Sequence, residues 1–205
     1  SGEDWRARPE FQHVITFPCS PLDAPRAASS GGRPSIMPAM AVRLGSELAL
    51  ARLSGLRVGI VCNPASIDGR FGHVLDRVAG DGRITLAAIF GPQHGFRADV
   101  QDNMVETAHA RDGRRQVPIY SLYSETREPT AEMLRGLDVL LVDLQDVGAR
   151  IYTFIYTMAN CLRAAARHGV PVIACHRPNP IGGGQVEGPT LEPGFASFAG
   201  PFRTP

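Results

Sequence analysis

The 205-residue chain carries 21 basic and 20 acidic residues, a formal net charge of +1, and is 43% hydrophobic. That length fits one domain with some tail, or one domain and part of a second, with enough apolar content for a sizeable core. Every basic residue is arginine and none falls in a run, so the electrostatic footprint of a nucleic-acid or anionic-membrane binder is missing; no apolar stretch approaches the length of a bilayer span.

Residues 1–40 are interrupted by proline, glycine and serine and show neither helical nor strand period, which predicts a disordered or loosely attached segment. Met37 and Met40 stand just before the first regular pattern, so translation is expected to begin there. Ala41 to Leu53 has apolar residues at helical spacing, and Gly55 stops it. Leu56 to Cys62 reads as a buried strand ended by Asn63-Pro64, because proline removes a ladder amide. A helix over Gly72 to Val78 and a strand over Ile84 to Phe90 follow, the latter delivering Gly91-Pro92-Gln93-His94-Gly95. Phe96 to Arg115 is a long polar loop of the kind that is functional or disordered. Val117 to Leu122 is a third strand, and Thr130 caps a short helix.

Leu137 to Tyr152, LDVLLVDLQDVGARIY, organises the chain. Its apolar run suits a central strand covered on both faces, and it releases Asp143, Gln145 and Asp146 within four residues, with Gly148 allowing a tight turn. Ligands bind at the carboxyl ends of strands in open α/β sheets, so these carboxylates are site candidates; the alternative is that either Asp caps the helix and shapes the loop. Ile151 to His168 is the longest helix, with Ile151, Phe154, Ile155, Met158, Leu162 and Ala165 on one face. Val170 to Cys175 is a fifth strand, ending in His176-Arg177-Pro178-Asn179-Pro180. The alternation implies an α/β fold with a Rossmann-like parallel sheet and helices on both faces, spanning residues 41–184, with 185–205 the start of a linker.

Familiar chemistries are absent from the pattern. Gly182-Gly183-Gly184 lacks both the dinucleotide and the P-loop spacing, and no Gly-x-Ser-x-Gly elbow exists, so no cofactor is expected. His94, His109, Asp99, Asp102 and Glu106 lack metal-ligand spacing, as do Cys19, Cys62, Cys161 and Cys175; no metal is expected, and the last three cysteines read as buried thiols. What remains is a polar group at each of five strand ends: Asn63; Gln93 with His94; Tyr123 with Arg127; Asp143 with Asp146 and Arg150; Arg177 with Asn179. Such a set describes a hydrogen-bonding cleft for a sugar or similar polar ligand, on whose ring Phe96, Tyr123 or Tyr152 could stack, while Tyr120 reads as core.

The stretches RVGIVCNPAS, AIFGPQHGFRAD, VPIYSLYSETREPT, DVLLVDLQDVGARIYTFIYTMA and RPNPIGGGQVEGPTLEP resemble the NamZ-like exo-β-N-acetylmuramidases, glycoside hydrolases of bacterial cell-wall recycling. The resemblance implies a Rossmann-like domain joined to a smaller C-terminal domain, with this chain expected to be an N-terminal fragment, and removal of a terminal N-acetylmuramic acid from peptidoglycan fragments. Asp143 and Asp146 match the family's D-x-Q-D-V-G element and Asp99 an acid after its GPEHG loop; taken with the strand-end set, the expectation is Asp143 and Asp146 as acid/base candidates and Asn63, Gln93, His94, Asp99, Tyr123, Arg127, Gln145, Arg150, Tyr152, Arg177 and Asn179 as substrate-binding residues. The family's GPEHG motif holds a glutamate regarded as catalytic, and Gln93 stands in its place. Glutamine neither donates nor accepts the required proton, so the alternative expectation is a catalytically silent glycan-binding relative, and the fragment alone is expected to be inactive. The compartment stays open: no signal peptide is visible, which reads as cytoplasmic, and the start at Ser1 leaves room for a removed one.

Overall fold

The structure, a computed structural model, describes residues 14–17, 20–21, 42–100, 105–197 and 200. Its elements in chain order are strands β1 (Val14–Phe17), β2 (Ser20–Pro21) and β3 (Val42–Arg43), helix α1 (Gly45–Ala49), β4 (Arg57–Cys62), α2 (Val74–Gly80), β5 (Thr85–Gly91), β6 (Ala110–Arg111), β7 (Pro118–Ser121), α3 (Ala131–Leu134), β8 (Val139–Asp143), α4 (Phe154–Arg167) and β9 (Val172–Cys175), with short 3₁₀ turns at Leu50–Arg52 and Pro193–Phe195. Seven strands form one sheet in the order β1-β9-β8-β4-β5-β7-β6, parallel except for the antiparallel β6 at one edge.

Side chains alternate across a strand, so each central strand feeds two cores. Ile60 and Cys62 of β4 join Val139 and Leu141 of β8 and Ile173 and Cys175 of β9 beneath Val74, Leu75 and Val78 of α2. On the opposite face Val61, Leu140, Val142 and Val172 pack against Cys161, Leu162, Ala164 and Ala165 of α4. The helices after β4 and β8, adjacent strands in the sheet, therefore lie on opposite faces. This is a switch point of a doubly wound sheet, where the two departing loops part and leave a crevice.

Three expectations need correction. Val14–Phe17, inside the segment expected to be loose, pairs in parallel with β9 at register Val14 to Val172, and the remainder of residues 1–40, Met37 and Met40 included, lies outside the described residues. The helix expected over Ala41 to Leu53 is shorter, because Val42–Arg43 pairs with Ser20–Pro21 instead. The long helix starts at Phe154 and turns Phe154, Tyr156, Cys161 and Leu162 inward, leaving Ile151 83% exposed and Ile155 37% exposed. Gly148 at φ +72 had set the expected turn, but the chain takes another turn before helical geometry begins.

Cys62, Cys161 and Cys175 are unpaired and buried, and burial pushes all three thiols well above their usual range. Because the thiolate is the reactive form, these three should resist an aromatic disulfide reagent in the native protein and react together when urea unfolds it. Rapid native labelling of any of them, read by mass spectrometry, contradicts this core.

Candidate functional site

The crevice is built from the loops after β4, β5 and β8. Asn63-Pro64 ends β4, and the loop then closes on itself: the Asn63 amide donates to Ser66 Oγ at 3.0 Å, and Asn63 Oδ1 accepts the Ala65 amide at 3.0 Å. Ser66 Oγ donates to the Asp143 carbonyl at 2.5 Å, tying the loop to the end of β8. His73 Nε2 donates to the Asn63 carbonyl at 2.8 Å while its Nδ1 accepts the Leu75 amide at 3.2 Å, so one imidazole caps α2 and anchors the loop. The sequence gives neither Ser66 nor His73 a role, and His73 falls inside the helix expected from Gly72; the available signal was a hydrogen-bonding residue at the start of a helix.

From β5 come Gln93 and His94. His94 holds φ +70, a left-handed conformation unusual for a residue with a side chain, which costs of order 1–3 kcal/mol and is kept by its surroundings. Its Nδ1 donates to the Val100 carbonyl at 2.9 Å. Gln93 Oε1 accepts from Thr153 Oγ1 at 2.6 Å, which joins the β5 loop to the start of α4 across the crevice. Tyr152 packs edge-on against Phe154, ring centroids 4.9 Å apart. Asn63, Gln93, His94, Tyr152 and Phe154 thereby share one open cavity of about 360 Å³. No Asp or Glu lines it among the described residues.

Other expected site residues lie elsewhere. Asp99 lines a neighbouring cavity of about 430 Å³ with Glu106, Arg97 and Tyr120, separated from the first by Val100, which borders both. Asp143 is 0% exposed and forms a two-point ion pair with Arg177, Nε to Oδ1 at 2.7 Å and a terminal nitrogen to Oδ2 at 2.8 Å; the other terminal nitrogen donates to the Ile67 carbonyl at 2.9 Å. Both carboxylate oxygens of Asp143 are thus held by Arg177, away from solvent. Asp146 accepts the Gly148 amide through Oδ2 at 3.2 Å, the turn-shaping alternative, while Oδ1 is closed to solvent without a protein partner among the described residues. Tyr123 is 1% exposed under the Arg127 guanidinium, 4.0 Å from its ring centroid, and Arg127 also reaches Glu106 at 3.2 Å. Gln145 holds the Asp146 and Pro178 carbonyls, at 2.6 and 3.0 Å. Arg150 holds the Pro189 carbonyl at 2.5 Å, and Asn179 Oδ1 accepts the Ile181 amide at 3.1 Å.

Residues 58–205 match the family described as exo-beta-N-acetylmuramidase NamZ, N-terminal. The chain belongs to this family. It is 45% identical over 154 residues to the peptidoglycan beta-N-acetylmuramidase NamZ of Bacillus subtilis (strain 168), an alignment covering 75% of this chain and 37% of that protein. Among solved structures, a DUF1343 family protein of Bacteroides fragilis NCTC 9343 superposes with a TM-score of 0.71 at 39% identity over 80% of this chain and 41% of that one. A second from the same organism gives 0.65 at 31% identity over 80% and 42%. The chain thus spans less than half the length of these relatives.

Removing one partner of a buried ion pair strands the other charge, which costs about 3–5 kcal/mol. Asp143→Ala should therefore lower the unfolding free energy by that amount in urea titration. A loss of under about 1 kcal/mol, the scale of an exposed pair, would show that the pair does not hold the strand ends together.

Proposed function

We propose that the protein acts in peptidoglycan turnover as a glycoside hydrolase, releasing a terminal N-acetylmuramic acid or related amino sugar, and that the saccharide sits in the crevice of Asn63, Gln93, His94 and Tyr152. The observation that carries this reading is the convergence of these four groups, from three loops, at the switch point of a NamZ-family sheet. The Gln93 amide nitrogen has no protein partner among the described residues and is available to a sugar oxygen, because Thr153 occupies the carbonyl side. Tyr152, beside Phe154, brings an aromatic ring to the crevice on which an apolar sugar face can stack. In this reading Asp143 and Asp146 shape the crevice and transfer no proton. The direct test is release of muramic acid from a chromogenic β-N-acetylmuraminide by the full-length protein, and failure to turn over any such glycoside removes the hydrolase reading. Saccharide binding without turnover is the outcome that a silent glycan-binding relative would give; the observation favouring that second reading is the amide at position 93.

The Thr153 hydroxyl would donate as well to a carboxylate as to the Gln93 carbonyl, so Gln93→Glu fits the same space. A positioned carboxyl group typically contributes about 10²–10⁴-fold to such a reaction. Gln93→Glu should raise kcat within that range; a variant no faster than an active parent shows that position 93 does not limit proton transfer.

A further inference from the structure

We propose that His94 is the proton-transfer residue of this crevice, doing through Nε2 what a carboxyl group would otherwise do; the proposal rests on the hydrolase reading above. Three observations converge on it. The cavity is bordered by no carboxylate among the described residues; Asp143 is held by Arg177, and Asp146 in the following loop is not part of the lining. His94 lines it, and the Nδ1–H bond to the Val100 carbonyl leaves Nε2 as the nitrogen that can give up and take back a proton. That nitrogen has no protein partner among the described residues, in contrast to His73, whose two nitrogens are both spent on the fold. The left-handed backbone of His94 adds to the case, since a strained conformation maintained at a cavity wall is where functional groups are found. Gln93 beside it donates a hydrogen bond and moves no proton.

The chemistry closes with water as the only co-reactant. Protonated Nε2 gives its proton to the glycosidic oxygen as the bond from that oxygen to the anomeric carbon breaks, the electron pair staying on oxygen. As that bond breaks, the sugar's own 2-acetamido oxygen bonds to the anomeric carbon from the opposite face; water then enters from the side the leaving group vacated and displaces it, and Nε2, now carrying a lone pair, takes the proton that water loses. One glycosidic bond and one water are consumed, two hydroxyl groups appear, and the imidazole returns to its starting state.

His94→Asn tests this without disturbing the backbone, because asparagine tolerates positive φ. With the full-length protein and a chromogenic β-N-acetylmuraminide, kcat should fall by about 10²–10⁴-fold while KM stays within about threefold. Nitrogen-15 NMR of the parent should show the neutral His94 ring protonated at Nδ1. An active parent whose variant keeps its kcat overturns the proposal and leaves the hydrolase reading standing. A variant that loses saccharide binding together with turnover makes His94 a binding group and also overturns it. So does a neutral ring protonated at Nε2, which needs no variant at all. A parent that binds the saccharide and never cleaves it removes the hydrolase reading and this proposal together.

Discussion

The buried pair of Asp143 and Arg177 is the constraint on which the site depends. Three strand ends meet at it: β8 contributes the carboxylate, the loop after β9 the guanidinium, and the loop after β4 the Ile67 carbonyl that takes the remaining guanidinium nitrogen. Two charges withdrawn from water lose hydration that only good geometry and full hydrogen bonding recover. Here both carboxylate oxygens are met, and Ser66 reaches the carbonyl of the same aspartate. An ion pair so committed is poor catalytic material and good scaffolding, because it fixes where the Asn63 loop can lie.

From that fixed corner the crevice follows. β4 and β8 send their chains to opposite faces of the sheet, so the loops diverge, and His73, Thr153 and Val100 each bind a group of the site in place. Those three bonds reach the Asn63 carbonyl, the Gln93 carbonyl and His94 Nδ1. The Gln93 amide nitrogen and His94 Nε2 are the atoms these bonds leave unspent. Selectivity in such a site comes from which half of each polar group the fold has already used.

The architecture was readable because its signals are local. Uninterrupted apolar runs such as Val139 to Val142 mark strands buried on both faces, and Asn63-Pro64 and Gly169 punctuate them. The polar strand ends were also readable as a set, and Asn63, Gln93, His94 and Tyr152 do converge. What sequence could not separate was an acid serving chemistry from an acid serving the fold. Asp143 stands at the end of a central strand in either case, and only the partner 34 residues away decides its role. Tyr123 and Arg127 show the same ambiguity, since an aromatic and a cation four apart fit a sugar site as well as they fit each other. The strand at Val14–Phe17 was missed because the proline-rich residues around it hide four residues whose pairing comes entirely from β9.

The central claim is that the saccharide binds at the switch-point crevice and not in the adjacent cavity of Asp99 and Tyr120. Titrating N-acetylmuramic acid into the isotopically labelled protein and following amide and side-chain resonances tests it most directly. The account predicts the largest shifts at Asn63, the Gln93 side-chain amide, His94 and Tyr152. Shifts confined to Asp99, Glu106, Arg111 and Tyr120, with those four groups unmoved, would contradict it.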